Sequence, residues 1–581
     1  MNSDTPRCIN VLVASYAALI LLAVAAVFYP ATGFEFLNFD DPNYISQNPV
    51  VAKGLSSESF LWAWSDTSTG HWHPLTWLSL MLDVSLFGVN PHIHHAVNIA
   101  LHGVSSALLF LLFQRTTSRP GRSLVAALVF ALHPLRIESV VWITERKDVL
   151  SMCLTLLTLH SYVSFVRRRD LLSYLGILFL FTLSLLAKPT SITLPALLLL
   201  FDLFPLQRLS SLKELLGTRR ILFEKAPLVL ISVAFSAAAI FGQASAGGLQ
   251  PAAEYPIPLR VESCLVSYVA YLGRLFFPLN LGIFYPFQTY PPGVAVGAFL
   301  ALCGASAWVA SVQRARPYVV AGWLWFLISL LPLCGLVQIG GQALADRWTY
   351  LPHIGLIVAA VWYLGDTLSP RMSRVFTCVV PSCLAAITLY NLPAWRDSEA
   401  VFRETLRVSP DNFMAHTNLG QHYHSHGDIE RARPHFEAAA RLRPAYPEAL
   451  NNLALTHAAA GRINEALPLF SQALAIQPSN PTFRYNVALS LSHTGRSAAA
   501  LAEWITLLKT TPDYAQAAVS ARAMAPFLSV AACSELTTVD EARGVQQAVS
   551  VSNDWKPPMA LVDILELAQS LKRCLSNGAN K

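Results

Sequence analysis

Apolar residues in this chain gather into long runs and do not alternate with polar ones, so the pattern predicts helices and almost no strands. Runs long enough to cross a hydrocarbon core of ~30 Å lie near 9–29, 94–113, 123–141, 149–166, 171–187, 190–205, 226–243, 294–312, 318–337, 351–367 and 374–392. The segment 264–287 is ambiguous, because Arg274, Pro278 and Pro286 interrupt it. A re-entrant hairpin and an extra pair of short helices both fit it. The first run lacks a strongly basic stretch before it and many spans follow, so it is expected to be an uncleaved anchor.

After residue 392 the pattern changes. Pro410, Pro444, Pro478 and Pro512 recur every 34 residues, and so do Gly427, Gly461 and Gly495. That fixed period predicts tetratricopeptide (TPR) helix pairs. Leu419-Gly420, Leu453-Ala454 and Val487-Ala488 allow close helix approach, while Phe436, Phe470 and Trp504 fill the next layer. Three full repeats are expected over roughly 411–512, after a half-repeat, WRDSEAVFRETLRVSP, at 395–410. The expected architecture is all-α. A polytopic transmembrane bundle spans 1–392 and a TPR α-solenoid spans 393–526. A tail at 527–581 has room for one helix, at 555–571.

Composition narrows the class. Of 581 residues 54% are hydrophobic and 13% charged, about half the charged fraction of a soluble protein. The net charge of +6 comes mainly from short basic loops between apolar runs, which points to membrane topology and not to nucleic acid. Seven of the nine cysteines lie in or beside apolar runs as small hydrophobes, and no Cys/His spacing suggests zinc. Cys533 and Cys574 fall in the tail, where an oxidising compartment would let them pair.

With the amino terminus inside, and provided that 264–287 does not change the parity of the spans, the clusters Arg115–Arg122, Arg167–Arg169, Lys213–Lys225, Arg314–Arg316 and Arg371–Arg374 all fall on the cytoplasmic side. The stretch NFDDPNYI at 38–45, and everything after about 392, then lie outside. Two adjacent carboxylates at a membrane boundary are costly and are functional candidates. The other external loops carry His73, then HPLRIESVVWITERKDVLS at 133–151, then Lys188, then Asp346 and Arg347. One acidic loop facing isolated cations fits a reaction whose leaving group is a lipid-anchored phosphate. Arg or Lys stabilises the developing charge, and a carboxylate deprotonates an incoming hydroxyl. A single carboxylate suffices for an inverting displacement.

Plainer readings stand beside these. Asp40 and Asp41 would serve as helix caps, and Arg136 with Glu138, or Arg146 with Asp148, as structural ion pairs. His92, His94 and His95 begin an interfacial helix, and His422, His424 and His426 face solvent on a TPR helix. Asn418, Asn452 and Asn486 recur at one phase of the repeat, either to hold an extended peptide on the concave face or to bridge neighbouring repeats.

NFDDPNYISQNPVV, HPLTWLSLMLD, LFGVNPHIHHAVNIALHG, HPLRIESVVWITERKDVLS and ADRWTYLPHIG together resemble the transmembrane-and-TPR protein O-mannosyltransferases, of the GT-C class of membrane glycosyltransferases. The resemblance covers roughly residues 9–512. It departs in having about three repeats, and in Asp346 where Glu is more usual. It implies a GT-C-type bundle and transfer of a hexose, mannose among the candidates. The donor would be a polyprenyl phosphate and the acceptor a protein Ser or Thr hydroxyl on the non-cytoplasmic face. It implies Asp40 as catalytic base with Asp41 supporting it or binding acceptor. Arg136, Arg146, Lys188 and Arg347 are the candidates for the donor phosphate, and His73 and Glu138 for orienting groups. Asn418, Asn452 and Asn486 would engage the acceptor, with no cofactor or metal expected. The compact length suggests a bacterial inner membrane with the TPRs in the periplasm. Two readings compete: a non-catalytic TPR scaffold for envelope assembly, and a GT-C enzyme acting on lipid or polysaccharide.

Overall fold

The computed structural model describes residues 5–511 except 212, 213, 215–217 and 253, together with 514, 516, 517, 519 and 520. The tail at 527–581, with Cys533, Cys574 and the helix expected at 555–571, lies outside the described residues. The chain divides into two compact units, Met1–Pro410 and Asp411–Lys581. Helix Ser398–Val408, expected as a half-repeat of the second unit, counts with the first.

The first unit is the membrane domain of a multi-pass protein. Among its described residues six helices are long and apolar enough to cross a bilayer: Asn10–Gly33, Pro91–Thr117, Ile143–Arg168, Arg219–Ser245, Pro292–Val312 and Pro370–Trp395. Counting the bent pair Pro120–Leu132 and Pro134–Val141 as one span makes seven. Large apolar side chains such as Leu22, Leu230, Phe241 and Leu300 stand exposed on these helices, as a hydrocarbon solvent allows. The other expected spans are shorter, namely Leu171–Ala187, Leu194–Leu203, Pro317–Leu330 and Pro352–Thr367. Proline sets several of these limits. Pro189 holds Lys188 in extended backbone (φ −161°, ψ 130°) and ends the helix before it.

The interrupted segment is neither a hairpin nor two short helices. A single helix, Ile257–Phe276, absorbs Arg274. The chain then becomes irregular, and Tyr285–Pro286 pairs antiparallel with Gln342–Leu344. Arg274 reaches Asp346 on the far side of that ribbon, which explains a charge that had read as an interruption.

Helices Pro317–Leu330 and Pro352–Thr367 touch through glycine. A Cβ on Gly322 would lie 2.3 Å from the Gly355 carbonyl oxygen, and one on Gly355 would lie 2.6 Å from that of Gly322. Such close backbone approach needs residues without side chains.

In the second unit the 34-residue period becomes three antiparallel helix pairs: Phe413–Ser425 with Ile429–Leu442, Pro447–Ala459 with Ile463–Ile476, and Pro481–His493 with Ser497–Thr510. Gly427, Gly461 and Gly495 turn each pair at φ of 79°, 75° and 83°, a conformation glycine adopts without strain. Ala432, Phe436, Ala466, Phe470, Ala500 and Trp504 are buried as the repeat predicts. A Cβ on Gly420 would meet the Phe436 ring at 2.7 Å, so the small residue in Leu419-Gly420 is set by its neighbouring aromatic.

Candidate active site

The acidic loop is built by two devices. Pro42 opens a single π-helical turn, Pro42–Ser46, in which the Gln47 amide donates to the Pro42 carbonyl at 2.9 Å; such turns recur at functional sites. The Asn48 side chain then accepts from the amides of Val50 and Val51 at 3.0 and 3.1 Å. The loop is tied to the segment after the last long helix, where the Asn38 amide donates to Ser398 Oγ at 2.8 Å.

The two carboxylates have different roles. Asp41 is fully buried. It accepts from the Leu37 amide at 2.8 Å, from the Thr144 amide at 3.1 Å and from the Thr144 hydroxyl. Burial still outweighs these bonds and pushes its carboxyl up to about 6. It fastens the loop to the turn Ile143–Glu145, so the expectation that it contacts acceptor is replaced by positioning. Asp40 is half-buried, and among the described residues its carboxyl makes no hydrogen bond. Burial raises it above the ordinary carboxylate range, while Lys147, Arg347 and Lys188 act in the opposite sense.

Those three cations converge on one acid. Glu145 Oε1 lies 3.4 Å from Lys147 Nζ and 3.1 Å from Arg347 Nε, and Glu145 Oε2 lies 2.8 Å from Lys188 Nζ. Lys188 also reaches Asp148 Oδ1 at 2.8 Å, and Arg347 pairs with Glu138 through its guanidinium and, at 2.8 Å, its amide. Aromatic faces complete the setting. Lys147 Nζ sits 4.7 Å from the Tyr44 ring and Arg347 lies 5.3 Å from that of Trp142. Asp148 and Arg347 line a cleft with Ser151, Thr155, Trp348 and Tyr350. Charges this enclosed persist because each is paired.

Of the sequence candidates, the structure brings Asp40, Glu138, Lys188 and Arg347 into this network and takes three elsewhere. Arg146 faces away from it and is saturated: it donates to Asn98 and to the His94 carbonyl (3.1 Å), Ser79 Oγ (2.8 Å) and Asp83 Oδ2 (2.7 Å). It is an interior strut, and its ion-pair partner is Asp83, not Asp148. Arg136 is fully buried against the rings of Phe130 and Tyr350, at 5.1 and 5.3 Å, and touches His353 Nδ1 at 3.4 Å. Its expected partner Glu138 is taken by Arg347. His73 packs against Tyr44 (5.5 Å) and Trp77 (4.9 Å), whose rings also stack on each other at 4.7 Å, and burial holds it neutral. It shapes the wall behind the loop.

Glu145 and Lys147 were not singled out in the sequence, although both stand in ITERKDV. The signal available was the turn itself, which sends successive residues in different directions and so separates Lys147 from Arg146. His92 and His94 take different partners, Thr32 O at 2.6 Å and Asp83 Oδ2 at 2.9 Å, while the His95 ring packs on Phe34.

In the TPR unit Asn418 Nδ2 donates to the Met414 carbonyl of its own helix at 2.9 Å. Asn486 Nδ2 donates to Asn451 Oδ1 of the preceding repeat at 2.7 Å. These two amides are buried and bonded within the solenoid, Asn486 as a bridge between repeats and Asn418 to its own helix. Asn452, half-buried, accepts from Asn451 Nδ2 at 3.2 Å.

Comparison with known proteins follows the same division. The model of the dolichyl-phosphate-mannose-protein mannosyltransferase family matches residues 74–237, and tetratricopeptide repeat models match 383–447, 425–481 and 457–524. Protein O-mannosyl-transferase TMTC1 of Homo sapiens is 26% identical over 500 residues, covering 75% of this chain and 56% of that protein. Protein O-mannosyl-transferase TMTC4 of Homo sapiens is 26% identical over 497 residues, covering 72% and 65%. The chain is thus similar to these protein O-mannosyl-transferases in its membrane part and carries tetratricopeptide repeats after it. It spans about half the length of TMTC1. The mannosyltransferase match contains Glu138, Glu145, Lys147 and Lys188, whereas Asp40 and Arg347 lie outside the matched stretch. Among solved structures, the TPR protein YrrB covers 36% of this chain and 96% of its own, at 15% identity and a TM-score of 0.21.

Proposed function

We propose that this protein is a membrane glycosyltransferase that moves a hexose from a polyprenyl-phosphate donor to Ser or Thr hydroxyls of proteins on the non-cytoplasmic face. The observation that carries this reading is Asp40, a carboxyl without a hydrogen-bond partner among the described residues, set within electrostatic reach of Lys147, Lys188 and Arg347. The relatives' names and the TPR unit support a protein acceptor.

In this mechanism Asp40 takes the proton of the acceptor hydroxyl as its oxygen bonds to the anomeric carbon. The bond from that carbon to the phosphate oxygen breaks, with inversion, and the lipid phosphate leaves as an anion. Lys147, Lys188 and Arg347 stabilise that charge. Burial raises the Asp40 carboxyl, and a raised carboxyl is the stronger base once ionised. Glu145 holds the three cations together, while Asp148 and Glu138 fix Lys188 and Arg347 in place.

Asp40→Asn removes the base with little change in volume. Intact-mass glycoproteomics of membrane and envelope fractions, with expression checked, should show specific proteins losing a hexose-sized mass. Transfer should fall by roughly 10²–10⁴-fold, the usual worth of a general base. Unchanged glycosylation would reject the reading and favour a scaffold.

A further inference from the structure

A second built site lies at the other end of the helices that frame the candidate active site. Helix Pro120–Leu132 leads from it to Arg136, over about 20 Å at the usual helical rise. Helix Pro352–Thr367 likewise begins beside Arg347 and ends at it. There a cavity of about 510 Å³ opens between three helices, with Arg119, Arg122 and Arg374 at its rim. Its walls are apolar, formed by Val125, Leu364 and Phe376 among others.

The arginines are not equivalent. Arg122 is committed to Asp366 Oδ1 and the Gly365 carbonyl, each at 2.7 Å. Asp366 in turn accepts from the Tyr318 hydroxyl at 2.5 Å. That acid is therefore satisfied. Arg119 and Arg374 are exposed, and among the described residues neither has an acidic partner; Arg374 makes one 3.4 Å bond to the Pro370 carbonyl. Ser373 and Thr377 add hydroxyls to the lining. Two guanidiniums without acidic partners among the described residues, with the Ser373 hydroxyl, above an apolar cleft between helices complement a phosphate joined to acyl chains.

We propose that this cavity binds an anionic phospholipid, its phosphate held by Arg119 and Arg374 and its acyl chains laid along Val125, Leu364 and Phe376. The site is independent of the transferase reading. No charge on Asp40 and no donor enters it.

Native mass spectrometry of the full-length protein in detergent tests this, with phosphatidylglycerol or phosphatidylcholine added in turn. Wild type should retain phosphatidylglycerol and discriminate against phosphatidylcholine. Arg119→Gln with Arg374→Gln should weaken phosphatidylglycerol binding about thirtyfold. That corresponds to about 2 kcal/mol, at about 1 kcal/mol for each basic side chain. Arg119→Lys with Arg374→Lys should keep most of it. Equal retention of both lipids by wild type, or unchanged binding in the glutamine variant, would overturn the proposal. So would displacement of the lipid by millimolar inorganic phosphate, which would make a free anion the occupant. Should the glutamine variant fail to fold, the lipid discrimination of wild type and the lysine variant decides alone.

Discussion

Asparagine at position 41 tests positioning apart from chemistry, because the buried Asp41 carboxyl holds the loop to Thr144. Its folded value of about 6 exceeds the ordinary 3.8, so the folded chain binds that proton more tightly than the unfolded one. The resulting stability is fully present below about pH 4 and is lost as pH rises through 6, up to about 3 kcal/mol. Asn does not titrate. Thermal unfolding in detergent should therefore show Asp41→Asn most destabilising near pH 4.5 and least so at pH 7.5, and the opposite trend would remove burial as the dominant cause. For Asp40, whose carboxyl is also raised, activity should fall on acidification at a pH above the ordinary carboxylate range. Sequence reading found this pair from its place at the membrane boundary, and only the resemblance gave Asp40 and Asp41 different roles. The split depends on Thr144, more than a hundred positions away, and no local pattern records it. Arg146 and Lys147 teach the same lesson. Adjacent cations differ only in the direction each leaves the first helical turn.

At the scale of elements, glycine contacts are the sharpest test of packing. Gly322→Ala should lower the melting temperature by the equivalent of roughly 1–3 kcal/mol, the usual cost of overpacking, because its Cβ meets backbone that cannot yield. Gly297→Ala, with open space around it, should leave the melting temperature unchanged or slightly raised and serves as the control. Unaltered stability in both variants would mean that the two helices are free to part. The TPR pairs were fully legible in advance, since one 34-residue phase fixes turn, core and close contact together. The short membrane helices were not. Hydropathy records apolar length, whereas Pro189 and the residues around Leu331 break a run without making it polar. The ribbon Tyr285–Pro286 with Gln342–Leu344 was illegible for a related reason, being two or three residues long and joined across two intervening helices.

For the whole molecule, the proposed function requires the acidic loop to lie outside the cytoplasm, and the positive-inside pattern of the basic loops predicts the same side for the TPR unit. Cysteine at Glu430, whose side chain is 85% exposed, should react with a membrane-impermeant maleimide on sealed cells. Cysteine at the exposed Arg371 should react only after permeabilisation. The reverse result would put Asp40 on the cytoplasmic side and remove the basis for a donor presented from outside. The same orientation would set the phospholipid cavity in the inner leaflet, where anionic lipid attracts basic side chains.

The joint between Gly322 and Gly355 also governs what the chain between them can tolerate. That segment carries Arg347 to the cations around Glu145, and its two ends are pinned where the helices touch. A loop with pinned ends has already lost its end-to-end freedom, and closure entropy grows only with the logarithm of length. A Cβ at Gly340 would meet open space, but its amide donates to the Gly248 carbonyl at 2.9 Å, so residues inserted there would cost that bond beside a few tenths of a kcal/mol of closure entropy. Arg347 would keep its height. Length in this turn can drift while the delivered charge stays in place.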